Sequence, residues 1–157
     1  MTTSISHETV REYFRACVSR DPVRIGHFLD ENVEWSLSGP VDLLPFCGQR
    51  SGRAAVVETL VRHVPSVIRL TDMRLEQVLV DGDRAASYMH LIAVHASSGR
   101  TVSYRSAQFL RFHNGKIVEF RGVIDSFDAA EQVLGHAINT SVDVPMDFTT
   151  GGNRVAL

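Results

Sequence analysis

The stretch Phe112-His113-Asn114-Gly115-Lys116-Ile117-Val118-Glu119-Phe120-Arg121 decides the fold. Asn-Gly between two runs rich in strand formers is a tight-hairpin signal, because both residues tolerate the positive φ that a two-residue turn needs. The flanking runs, 101–113 and 116–124, then read as antiparallel strands. Working backward, Ser98-Gly99 separates 101–113 from a strand at 84–96, and Asp81-Gly82 separates that from one at 67–80. Four long strands joined by three hairpins make a meander. Working forward, Asp125 or Ser126 caps a short helix at 127–134, which Gly135 ends.

Ahead of the meander the pattern has helical period. Val10, Phe14, Cys17 and Val18 recur along a helix at 7–20, with Tyr13 on the flank of that stripe. Asp21-Pro22 starts a second helix, with Val23, Ile25, Phe28 and Leu29 as its apolar residues and Asp30-Glu31-Asn32 as its end. A short strand at 33–37 and a loop at 41–50 follow. A third helix at 53–63 has Val56, Val57, Leu60, Val61 and Val64 on its apolar face. Residues 137–157 show little periodicity and read as an extended tail, so the domain itself spans 1–136.

Composition narrows the class. The 157 residues are 44% hydrophobic and 22% charged, with 16 basic against 18 acidic side chains. There is no basic excess of the kind nucleic-acid binding needs, and no apolar run approaches the ~20 residues of a membrane span. The first residues lack the basic start and apolar stretch of a signal peptide, so the expected location is cytoplasmic. Cys17 and Cys47 sit in apolar contexts and read as small buried hydrophobes. No Cys/His zinc spacing occurs, and His7, His27, His63, His90, His113 and His136 are scattered, so neither metal nor cofactor is expected.

The order helix, helix, short strand, helix, meander, helix carries two sharper segments. One is Val33-Glu34-Trp35 followed by Gly48-Gln49-Arg50-Ser51-Gly52-Arg53-Ala54-Ala55-Val56; the other is the opening hairpin with Asp125 four residues beyond Arg121. Together they resemble the SnoaL-like branch of the nuclear-transport-factor-2-like superfamily, over about residues 7–135. That superfamily also holds ketosteroid isomerases, limonene-epoxide hydrolases and polyketide cyclases. The resemblance implies an α+β fold: a curved antiparallel sheet forming a cone, closed by three N-terminal helices around an apolar cavity. It also implies a homodimer through the open sheet face. Activity does not follow from fold.

Set against ketosteroid isomerases, Tyr13 falls on the tyrosine that hydrogen-bonds the developing enolate. Their general base falls on Leu37, which cannot take a proton, and their second oxyanion donor falls near Arg105. The carboxylates of limonene-epoxide hydrolases and polyketide cyclases on the last strand point to Gly122, and the hydrolases' Arg-x-Asp pair falls near Met89 and Leu91. Those mechanisms are disfavoured. Asp125 reads as a helix cap.

The expected inward, ligand-contacting set is Tyr13, Cys17, Trp35, Leu37, Val57, Leu60, Met89, Leu91, Phe120, Gly122 and Ile124, mostly apolar as a site for a small hydrophobic ligand would be. Polar candidates are Tyr13, His95, Arg105 and Gln108. His95 shares an alternation face with Met89, Leu91 and Ala93 and could act as a base inside, or face water beside the Ser98-Gly99 hairpin. Arg105 could bind a ligand carboxylate, pair with Glu34, Glu76 or Asp125, or face solvent. On its strand, Val102, Tyr104, Leu110 and Phe112 share one face while Ala107 and Phe109 share the other, a conflict a bulge could resolve. Three readings follow. One is an isomerase, cyclase or hydrolase with Tyr13, His95 and Arg105 as catalytic candidates. Another is a module that binds an apolar ligand unchanged. The third is a dimeric interaction protein using the Val102, Tyr104, Leu110 and Phe112 row.

Overall fold

The structure, a computed structural model, describes residues 4–139. Helix α1 (His7–Ser19) starts on Ser6, whose side chain accepts from the Thr9 N–H at 3.0 Å, and ends on Arg20 in a left-handed conformation. Asp21 caps α2 (Pro22–Phe28) by accepting from the N–H groups of Val23 and Arg24. Here the structure departs from the sequence reading. Leu29 belongs to strand β1 (Leu29–Ser38), and the polar residues expected to end the helix lie within the strand. A register shift between Leu29 and Glu34 absorbs them, which leaves Leu29, Val33, Trp35 and Leu37 all buried.

The expected loop also hides a strand, β2 (Gly48–Ser51), which pairs antiparallel with β1. After it, α3 (Arg53–Glu58) runs through a π-helical turn at Thr59–His63 into α4 (Val64–Val67). The π turn closes with the Val64 N–H bonded to the Thr59 carbonyl, directly ahead of Pro65, which has no N–H to continue an α ladder. The meander follows as β3 (Ile68–Asp81), β4 (Arg84–His95), β5 (Thr101–His113) and β6 (Lys116–Ile124). Asn114 and Gly115 both take positive φ, as their hairpin requires. Asp125 caps α5 (Ser126–Leu134), and Gly135 closes it at φ 80°. Of the expected tail, the part from Thr140 onward lies outside the described residues.

The six strands form one sheet in the order β2-β1-β6-β5-β4-β3. β1 and β6 run parallel, and the other pairs are antiparallel. The sheet is therefore larger than the meander; it is curved and unclosed. Two register shifts in β3 help bend it. α1 packs on β3 and α3 on β1, so the inner face is covered by helices.

The face of each strand is now fixed. β5 alternates regularly from Val102 to Leu110, with no bulge before Arg111. Val102, Tyr104, Leu110 and Phe112 are buried in the core. They cannot serve as the apolar dimer row, because the helices already cover them. The outer face carries Tyr88, Phe109, Val123 and Leu79 instead. No described helix is long and apolar enough to cross a membrane.

Candidate ligand site between helix and sheet

A cavity of about 110 Å³ lies between α1 and the inner face of the sheet. One face of α1 supplies Tyr13 and Cys17, continued by Arg20 at its cap, a spacing of four and then three residues that stacks them on the same side. Trp35 and Leu37 come from β1, and Phe120 and Ile124 from β6. β5 contributes Tyr104, Ser106 and Gln108. Leu91 and the β3 residues Ile68, Leu70 and Met73 complete the floor, while Leu60, Val64 and Phe46 close the side. Cys17, Val18, Arg20, Leu60, Val64, Leu70 and Met73 keep some exposure, so the opening lies where the end of α1 meets β3 and the π turn.

Eight of the eleven residues expected inward line this cavity: Tyr13, Cys17, Trp35, Leu37, Leu60, Leu91, Phe120 and Ile124. Met89 is fully buried beneath it. Val57 faces a separate groove beside Gly26 and Arg53, because Val56 takes the inward position on α3. Gly122 points inward but is covered: a side-chain carbon there would sit 2.6 Å from Leu37 Cδ1 and 3.1 Å from Phe120 Cε1. Leu37 and Gly122 thus pack against each other, and leucine fills the volume of the missing side chain.

Arg105 and His95 lie elsewhere. Arg105 is on the outer face, where its guanidinium meets Glu76 at 3.4 Å, one of the partners anticipated for it. Strict alternation along β5 turns Tyr104 and Ser106 inward and leaves Arg105 outside. His95 ends β4 and bonds through Nδ1 to Ser98 Oγ at 2.8 Å, so the hairpin holds its ring. Neither lines the cavity.

Among the described residues, no carboxylate or imidazole lines the cavity. The phenols and the thiol in its walls are held neutral. Burial first, and then the neighbouring Cys17 thiol, push the Tyr13 phenol well above its ordinary value. Burial pushes the Cys17 thiol up to about 12, against the lowering effect of its hydrogen bond with Tyr13. Burial likewise raises Tyr104, with Cys47 adding to it. The neutral polar groups are poorly paired. Trp35 Nε1 is buried with no hydrogen-bond partner. The Gln108 amide donates only at long range, to Met89 Sδ at 3.6 Å and Ser106 Oγ at 3.5 Å.

Sequence reasoning missed Arg20, Tyr104, Ser106 and Phe46 as cavity residues. For Arg20 the helical spacing from Tyr13 was a usable signal. For Ser106, the even-numbered alternation with Val102, Tyr104 and Leu110 was one, but a hydroxyl in an apolar row obscured it.

Comparison with known proteins assigns the family. A SnoaL-like domain model matches residues 10–120. The chain belongs to the SnoaL-like domain family. No curated protein matches this SnoaL-like chain. Among solved structures it is similar to a "Putative Isomerase from Rhodopseudomonas palustris", with 32% identity over 84% of this chain and 100% of that one, at a TM-score of 0.77. A nuclear-transport-factor-2-like protein of unknown function from Burkholderia pseudomallei shares 25% identity over 80% of this chain and 95% of its own, at a TM-score of 0.69. A protein of ketosteroid-isomerase-like fold from Catenulispora acidiphila, solved with trimethylamine, matches at 12% identity and a TM-score of 0.69 over 84% and 95% of the two chains, a likeness of fold alone.

Proposed function

We propose that this SnoaL-like chain binds a small apolar molecule in the helix–sheet cavity, with the Tyr13 hydroxyl donating a hydrogen bond to a carbonyl or enolate oxygen of the ligand. The observation that carries this reading is an apolar wall that holds the orphaned Trp35 Nε1, the Gln108 amide and the Tyr13 hydroxyl, whose one partner there is the Cys17 thiol, a weak acceptor that a ligand oxygen would replace. A buried donor without a partner costs free energy that a ligand acceptor would recover. Apolar walls with a few polar anchors are the usual make-up of small-molecule sites.

The walls support binding more strongly than proton abstraction. Leu37 and Gly122 stand where related enzymes hold carboxylates, and the raised phenols and thiol keep their protons at neutral pH. A catalytic reading is favoured by the isomerase name of the Rhodopseudomonas relative. In that case Tyr13 acts as an electrophile that polarises a carbonyl, and the base comes from the substrate or solvent. The test is calorimetric titration with cyclohexanone as a neutral carbonyl probe. Tyr13→Phe is expected to weaken binding by roughly 3- to 10-fold, the worth of about one hydrogen bond. Equal affinity for both forms counts against the donor role.

A homodimer through the outer sheet face is proposed on a separate observation. Leu79, Phe109, Val123 and Tyr88 are 68%, 55%, 47% and 39% exposed on neighbouring outer positions of β3, β5, β6 and β4. Contiguous exposed apolar side chains of this kind mark association surfaces. A cytoplasmic location agrees with Cys17 and Cys47 both being free thiols.

A further inference from the structure

We infer that the ligand of this cavity is an acid, its carboxylate held by Arg20 at the opening and its apolar body, about one ring in size, inside. The inference rests on the binding reading above and adds the chemical class of the ligand.

Arg20 is the only charged residue lining the cavity among the described residues. Its position is set by the backbone: it caps α1 with φ 56°, and its own N–H bonds back to the Cys17 carbonyl. The side chain therefore leaves the helix end on the cavity side, one turn beyond Cys17. Among the described residues its guanidinium makes a single hydrogen bond, from Nη2 to the Leu70 carbonyl, at 3.5 Å. It forms no ion pair among the described residues. The rest of its planar donor fork is free to act, at a half-buried place flanked by Val18, Val64 and Leu70.

A guanidinium beside apolar walls has most to gain from a partner that is anionic and planar, because a carboxylate accepts two of its N–H groups at once. Partial exclusion of water there strengthens the attraction. Arg105, the arginine the sequence made a candidate for this task, is already paired with Glu76 on the other face. Size sets the second half of the class. A cavity of about 110 Å³ is of the order that admits one benzene-sized ring.

The test is calorimetric titration of the full chain with benzoate and with benzamide, which share a ring and differ in charge. Benzoate is expected to bind at least about tenfold more tightly than benzamide. Arg20→Gln is expected to abolish that preference by weakening benzoate much more than benzamide, and Arg20→Lys to retain part of it. The Arg20→Gln melting temperature, measured without ligand, separates lost charge recognition from lost folding. Equal binding of benzoate and benzamide, or a preference that survives Arg20→Gln, overturns the acid class and leaves the cavity reading standing. Failure of both probes to bind at millimolar concentration overturns the cavity reading together with the inference.

Discussion

Leu37 and Gly122 pack against each other on the inner face of the sheet, side by side on β1 and β6. The leucine methyl occupies the space a side chain at 122 would need. Gly122→Ala is therefore expected to destabilise the fold by about 1–3 kcal/mol through overpacking. Leu37→Ala leaves a void and costs about 2–5 kcal/mol. The double variant is expected to lose less than the sum, since each change relieves the other. Urea unfolding of the four forms measures this coupling, and strict additivity would refute the contact.

The neutral walls give a second prediction at this scale. Cys17 is raised from 9.0 to about 12, and Tyr13 is raised with it. Because the folded state holds these protons more tightly than the unfolded state, stability is intact below pH 9 and falls as pH rises toward 12. Unfolding midpoints measured across that window are expected to fall less in Cys17→Ala than in the parent chain, relative to each form's value at neutral pH. An identical fall in both would contradict the assigned cause.

At the scale of elements, α5 does more than follow the sheet. β6 ends at Ile124, so the first residues of β5 have no strand on that side. Gln132 takes its place, accepting from the Ser103 N–H at 2.6 Å and donating to the Ser103 carbonyl at 2.7 Å. A side-chain amide thus closes an edge that would otherwise be open to pairing with another chain. Gln132→Ala is expected to cost about 1–3 kcal/mol, two hydrogen bonds' worth, and to speed amide exchange at Ser103. Unchanged exchange there would argue against the edge-capping role.

This scale also shows what the sequence made legible. The meander was readable because each turn carries a glycine that local physics requires, as at Asn114-Gly115, and α1 was readable from its apolar stripe. β2 was not, since Gly-Gln-Arg-Ser has no apolar alternation; it is held to β1 by the backbone ladder and by the Ser51 hydroxyl donating to Glu34 at 2.8 Å. The parallel contact of β1 with β6 joins residues some 85 positions apart, as in Trp35 with Phe120, and no local pattern encodes it. For the site, the apolar wall followed from alternation. Arg20 and Ser106 escaped because polar residues on an apolar face look like breaks in a pattern rather than parts of a cavity.

For the whole molecule, the sheet has two faces with different work. The inner face and the helices make the cavity. The outer face carries Phe109 between ionic neighbours, with Glu119 bonded to Arg111 at 3.0 Å and to Arg121 at 2.5 Å. The hydrogen bond from Arg111 in particular holds the Glu119 carboxyl below its usual range. If that face associates, Phe109→Glu should convert a dimer to a monomer in light scattering while leaving ligand binding unchanged, because the residue lies across the sheet from the cavity. A parent chain that is monomeric at tens of micromolar would contradict the assembly.

Occupation of the helix–sheet cavity is the claim on which the rest depends, and methyl-resolved NMR reads it directly. Titration with benzoate or cyclohexanone is expected to shift the methyl groups of Leu37, Leu60, Leu70, Met73 and Leu91, which line the cavity, and to leave those of Leu79 and Val123 on the outer face in place. Shifts confined to Leu79 and Val123, or none at all, would contradict it.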